Sequence, residues 1–111
     1  AGLRVLDLTL AMAGPMCTQR LAEMGADVIK VEAPGGGDFS RAATMGGVTG
    51  FGDGICFVAL NRAKRSLVVD LKRPEGREAV LALARGADVL VQNYRPGVAA
   101  RLGVDHASLA P

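Results

Sequence analysis

Four short apolar runs punctuate the chain: Leu3–Leu8 (LRVLDL), Asp27–Glu32 (DVIKVE), Ser66–Leu71 (SLVVDL) and Asp88–Asn93 (DVLVQN). Each is rich in Val, Leu or Ile and predicts a strand. Between them the period turns helical. One helix is expected from Pro15 through MCTQRLAEM to Met24. Pro15 suits a first turn, where its missing N–H is no loss, and Gly25 suits the end. Cys17, Leu21 and Met24 fall at i, i+4 and i+7 and predict the buried face, with Cys17 a small core residue. A second helix is expected from Pro74 to Arg85, with Glu75 near its start and Arg85 and Gly86 at its close. Val98–Leu102 predicts a short third. The closing DHASLAP predicts another, capped by Asp105, carrying His106 on its surface and stopping at a proline.

An internal echo organises these pieces. Leu21–Gly35 and Leu81–Gly97 both run helix, Gly-Ala-Asp, strand, Pro-Gly. Two helix-to-strand units of one kind predict right-handed crossovers and a mostly parallel sheet. Two copies are too few for a solenoid. The expected fold is α/β, a Rossmann-like doubly wound layer spanning residues 1–111 as one half-domain, with ligands beyond the carboxyl ends of its strands. Between Ala33 and Phe57 the chain holds eight glycines and few apolar anchors. A loop of that length is usually functional or mobile.

Composition narrows the classes. At 111 residues, half of them hydrophobic and 22% charged, the chain is one folded domain at most. A net charge of +2 argues against a general nucleic-acid binder. The cluster NRAKRS with a single tyrosine in the chain makes a poor stacking groove. Charged residues interrupt every apolar run, so none has membrane-spanning length. The opening AGLRVLDLT reads as a strand and not as a signal peptide. Cys17 and Cys56 have no metal-ligand spacing, and a reducing, cytoplasmic setting is expected. The high apolar content of so short a chain predicts surface meant for another part of a protein.

Candidate chemistry lies at the strand ends. After the first strand, TLAMAGP leads into a helix N-terminus that favours an anion, although a tight turn of small residues is the stronger reading on these residues alone. After the second, EAPGGGD offers backbone N–H groups to a phosphate or serves only as a linker. After the third, Lys72 projects a point charge suited to phosphate. After the fourth, Tyr94 and Arg95 form a pair able to stack on a purine, with Arg101 one or two turns on. A solvated loop whose Tyr94 covers the sheet edge is the plainer alternative. Cations at two adjacent crevice loops, with an aromatic among them, favour a phosphorylated adenine ligand. Neither a G-x-G-x-x-G fingerprint after the first strand nor a Walker A sequence is present. Asp7, at a strand end, is expected to serve structural hydrogen bonds.

The ordered set GLRVLDLT, AGPMCTQRLAEMGADVIKVEAPGGGD, LNRAKRSLVVDLK, PEGR and ADVLVQNYRPGVAARLGV resembles the N-terminal part of the family III CoA-transferases, from Gly2 to about Leu109. That family includes formyl-CoA and carnitine CoA-transferases and the alpha-methylacyl-CoA racemases. The resemblance implies a Rossmann-like half-domain that takes coenzyme A or an acyl-CoA as substrate, with no prosthetic group. It implies CoA contacts at Val69, Asp70, Leu71 and Lys72, at Asn93, Tyr94 and Arg95, and at Arg101. It places Met12 and Ala13 along the acyl end. Carboxylic acids are the implied co-substrates, and an interlocked homodimer the implied assembly. The family's nucleophile is an aspartate that forms acyl anhydrides and a CoA thioester. It matches no residue here, so no catalytic residue is assigned to this chain, which alone is expected to be inactive.

Two positions depart from the family pattern. Met12 stands where formyl-CoA transferases carry Gln, which weighs against a formyl or oxalate substrate. Ala33 stands where many relatives have a nucleotide-binding Arg, and Arg41 is the offered replacement. The glycine loop and the Phe57–Leu60 lead-in resemble transferases more than racemases. A racemase segment and a non-catalytic nucleotide-binding module remain the alternatives. The basic cluster Arg62, Lys64 and Arg65 is expected at the strand end opposite Lys72, with no role assigned.

Overall fold

The structure, a computed structural model, describes residues 2–42, 49–50 and 53–109. In chain order the elements are β1 (Arg4–Asp7), α1 (Ala13–Glu23), β2 (Asp27–Glu32), a 3-10 turn (Phe39–Arg41), β3 (Thr49–Gly50), β4 (Asp53–Gly54), α2 (Ile55–Leu60), β5 (Arg65–Val68), α3 (Pro74–Arg85), β6 (Val89–Val91), α4 (Val98–Leu102) and α5 (His106–Leu109). β1 pairs in parallel with β2 on one side and β6 on the other, and β2 pairs in parallel with β5. The order β5-β2-β1-β6 makes β1 central, where the winding reverses, and ligand crevices open at such a point. β3 and β4 form a separate antiparallel pair.

Strand alternation splits the core into two faces. Leu6, Leu8 and Val31 face α3 and the chain after it, packing with Leu71, Val80, Ala99 and Val104. Val5 and Val28 face α1 and pack with Ala22. Farther along, this second face turns polar, because Asp7 follows Val5, and Lys30 and Glu32 follow Val28, at steps of two. All three are buried.

That polar floor explains why α1 turns a different side inward from the one its apolar spacing predicts. Its buried residues are Gly14, Pro15, Thr18, Gln19 and Ala22. Cys17 is exposed, Met24 is 71% exposed and Leu21 is half-buried. Thr18 and Gln19 can satisfy the groups beneath, which a thiol and a thioether cannot. The helix also begins at Ala13, two residues before Pro15, and ends as expected with Gly25 at φ 103°.

β2, α3 and α4 have the expected bounds, whereas β5 ends at Val68, three residues early. Asp70 bends the chain there: its carboxylate accepts from the Lys72 N–H at 3.0 Å and its carbonyl from the Arg73 N–H at 3.1 Å. The start of α3 sits hard against this bend, for a Cβ on Gly76 would lie 2.0 Å from the Asp70 carbonyl oxygen. Asp105 caps the last helix through the Ser108 N–H, and His106 is exposed, as expected. Residues 33–57, expected as a loop, contain the 3-10 turn, the β3–β4 pair and the start of α2. Gly46, Gly47, Gly52 and the terminal Pro111 lie outside the described residues.

Candidate functional site

Beneath the carboxyl ends of β1 and β2, three ion pairs lie in or beside the core. Asp7 Oδ2 meets Lys64 Nζ at 2.9 Å and accepts from Thr18 Oγ1 at 2.6 Å. Lys64 also donates to the Pro15 carbonyl and to Asn61 Oδ1. Lys30 Nζ meets Asp38 Oδ2 at 3.0 Å, and Asp38 Oδ1 accepts from the Ser40 N–H and hydroxyl. Glu32 receives Arg41 in a fork, Nε to Oε1 and Nη2 to Oε2, both 2.7 Å, while Arg41 stacks 3.8 Å from the Phe57 ring centre. Buried charges need such pairing and additional hydrogen bonds to be tolerated.

The electrostatics follow. Burial alone would raise the Glu32 carboxyl. Hydrogen bonds from Arg41, the Asp38 N–H and Ser66, with the charge of Arg41, outweigh it and lower the pKa to about 2. Asp38 is likewise lowered, its burial overcome by Ser40 and Lys30. Burial pulls Lys64 below the usual lysine range against the opposing attraction of Asp7. Tyr94 is raised by burial and then by the Asp7 charge, so its ring stays neutral.

Beyond this floor, a crevice of about 180 Å³ opens at the carboxyl end of the sheet. Val69, Asp70, Leu71 and Lys72 form one side, with Tyr94, Leu10 and Leu102 among its other walls. Five sequence-predicted residues thus share one concavity. Tyr94 also packs against the core, and Lys72 is exposed at the edge. Ala33 lines the crevice too, offering only a methyl group.

The other predicted residues sit elsewhere. Met12 and Ala13 are exposed at the start of α1. Asn93 does not line the crevice; its amide donates to the Leu10 carbonyl at 2.8 Å and accepts from the Leu10 N–H at 2.9 Å. Arg95 and Arg101 are exposed outside the crevice wall, the latter on α4. Arg41, the offered replacement for a cation at position 33, is engaged by Glu32 and Phe57. The basic cluster divides: Lys64 is buried against Asp7, while Arg62 pairs with Glu23 and Arg65 with Asp27 at the exposed edge.

Sequence reasoning passed over Lys30, Glu32 and Asp38, and it named Lys64 without assigning it a role. The available signal was the DVIKVE alternation, which puts Lys30 and Glu32 on the same face as Val28. Among the described residues, no group of three or more His, Cys, Asp or Glu side chains is placed to hold a metal, and no helix is long and apolar enough to cross a membrane.

The parallel four-stranded sheet with its helices, and the apolar crevice at its carboxyl edge bordered by Lys72 and Tyr94, define an α/β protein of the doubly wound type. The model of CoA-transferase family III matches residues 1–111, and the chain belongs to that family. It is 50% identical over 102 residues to a formyl-CoA:oxalate CoA-transferase of Rhodopseudomonas palustris (strain TIE-1), covering 92% of this chain and 24% of that protein. It is 43% identical to an acyl-CoA transferase of Fusarium pseudograminearum, covering 95% of this chain and 24% of that protein. Among solved structures, a CAIB/BAIF family protein from Brucella suis superposes with a TM-score of 0.89 at 41% identity, over 97% of this chain and 29% of that one. The chain therefore spans about a quarter of the length of the curated relatives it matches.

Proposed function

We propose that this chain is the N-terminal, CoA-binding segment of an acyl-CoA:carboxylic acid CoA-transferase. The crevice carries the reading, because it draws the Val69–Lys72 bend and Tyr94 together at the point where the sheet winding reverses. Lys72 meets the CoA phosphates, Tyr94 offers its face to the thioester arm or the adenine, and Arg95 and Arg101 extend the positive charge past the crevice. Val69, Asp70 and Leu71 contact the CoA along the same bend. Asn93 acts on the Leu10 backbone. Met12 and Ala13 lie toward the acyl end. The nucleophile is a carboxylate outside this chain. It attacks the thioester carbonyl and releases CoA thiolate, leaving an acyl anhydride on the enzyme. The thiolate attacks the enzyme's own carbonyl in that anhydride, releasing the donor carboxylate and leaving an enzyme–CoA thioester. The incoming carboxylate attacks this thioester, giving a second anhydride and thiolate, and the thiolate attacks the new acyl carbonyl to form the product acyl-CoA and free the enzyme's carboxylate. Two copies of the full-length protein form the working dimer.

The test uses a full-length protein carrying this sequence. It is incubated with a panel of acyl-CoAs and carboxylic acids and quenched for intact mass, with solvent deuterium as a second readout. An acyl or CoA adduct on an aspartate supports the transferase. Exchange at the α-carbon without an adduct supports a racemase instead, and CoA binding with neither signal supports a non-catalytic nucleotide module. In the same protein, Lys72→Ala weakens CoA binding by roughly 1–3 kcal/mol, the scale of a hydrogen bond to a charged group. Unchanged affinity removes Lys72 from the site.

A further inference from the structure

The turn that leaves β1 is held in an unusual way. From the Thr9 N–H to the Ala11 N–H, every backbone polar group is bonded by a side chain. The Thr9 N–H donates to Asp7 Oδ1 at 2.8 Å, and its carbonyl accepts from Lys30 Nζ at 2.9 Å. The Leu10 N–H and carbonyl are both taken by the Asn93 amide. The Ala11 N–H donates to Asp38 Oδ1 at 3.3 Å. Lys30 and Asp38 pair with one another, so one buried ion pair grips the turn on either side of Leu10. Both side chains are almost wholly buried, at 2% and 0% exposure. What they hold is strained: Ala11 sits at φ 70°, a left-handed conformation that a residue with a Cβ rarely adopts.

A plain strand-to-helix turn does not need this apparatus. A glycine at position 11 would adopt the conformation freely, and a solvated turn would satisfy its own groups with water. The turn matters because of what it carries. Leu10 lines the crevice, and the turn runs on through Ala11 and Met12 into α1, which begins at Ala13. The glycine-rich connection after β2 supplies Asp38, so the position of the turn depends on that connection as well.

We propose that Lys30 and Asp38 are positioning residues for the transfer reaction, acting through the Thr9–Ala11 turn to fix Leu10 and the start of α1 against the bound thioester. The inference rests on the transferase reading above. Neither side chain lines the crevice. Lys72, the cation proposed for the phosphates, belongs to the bend after β5 and not to this turn, so loosening the turn alters geometry more than attraction. A displacement of about 1 Å at a reacting group can cost about 100-fold in rate.

The experiment uses the full-length protein. Lys30→Met with Asp38→Asn removes both charges together, leaving no uncompensated charge in the core. The expected result is a folded variant whose kcat falls about 10- to 100-fold, on the scale of such misplacement, while KM for the acyl-CoA changes less than about threefold. Adding Ala11→Gly to that variant restores a large part of kcat, since glycine holds the turn without strain; a merely structural pair would give no such rescue. Amide hydrogen exchange in the unaltered protein gives an independent readout: the Ala11 N–H is protected by its bond to Asp38. An unchanged kcat in the folded double variant, a loss that Ala11→Gly leaves untouched, or a freely exchanging Ala11 N–H overturns the proposal. Absence of transfer by the unaltered protein overturns the transferase reading instead, and the exchange measurement still judges the grip on the turn.

Discussion

Glu32 shows how a single side chain ties a connection to the sheet. It stands at the end of β2, buried, and accepts from Arg41 twice, from Ser66 at 2.8 Å and from the Asp38 N–H at 3.1 Å. Its carboxyl titrates near 2 in the folded protein against an ordinary 4.5. The folded value is the depressed one. The stabilisation is therefore complete above about 4.5, and it is lost as the pH falls through about 2. Over that window the share of Glu32 is roughly 3 kcal/mol at 1.36 kcal/mol per unit. Glu32→Gln is expected to be less stable at neutral pH and to show a shallower loss between pH 4.5 and pH 2, read from urea midpoints. Parallel acid profiles for the two proteins would show that the carboxylate contributes nothing. The identity of Glu32 was legible as the last residue of a strand, but its partner was not. Arg41 is nine residues away across a glycine-rich connection, and spacing alone cannot say where such a connection folds back.

At the scale of elements, legibility followed local chemistry. The bounds of β2, α3 and α4 were readable because Asp, Pro and Gly mark their ends in the sequence itself. The inward side of α1 was not, because it answers to Asp7 and Lys64, one before the helix and one far after it. The early end of β5 depended on the Asp70 side chain competing for its own backbone. That bend now makes a prediction about α3. In a helix, Gly76→Ala should help by about 0.5–1 kcal/mol through backbone entropy. Here the new Cβ would meet the Asp70 carbonyl oxygen at 2.0 Å, and a backbone atom cannot swing aside as a flexible side chain can. Overpacking of this kind costs about 1–3 kcal/mol, so the clash wins. The variant is expected to be destabilised in thermal melts and to bind CoA more weakly, since the Val69–Lys72 wall must move. A rise in melting temperature would mean that α3 has room at its start.

The crevice brought together residues from both ends of the strand pattern, Val69–Lys72 and Tyr94, yet it left Arg95 and Arg101 outside and gave Asn93 to the turn. The strand order bears on this: β2 and β1 stand between β5 and β6, and Leu10, just past β1, lines the crevice together with residues of the two loops that follow those outer strands. The same order fixes what the segment presents to its surroundings. β5 and β6 are the edges of the described sheet, with Val68 60% and Val89 39% exposed. A groove of about 360 Å³, lined by Leu6, Ile29, Leu83 and Ala87 with Arg4 and Arg65 among its other residues, remains between the sheet and α3. Bare strand edges are templates for pairing with another chain, and apolar side chains beside them add to the attraction. Residues 1–111 expressed alone are therefore expected to self-associate as concentration rises, in sedimentation velocity, and to catalyse no transfer. Placing lysines on the edges, Val68→Lys with Val89→Lys, should reduce that association while leaving the far-ultraviolet dichroism of the fold in place, because neither side chain belongs to the buried core. Association that persists undiminished would locate the sticky surface in the groove under α3, and a segment that stays monomeric at every concentration would show that its edges are already protected.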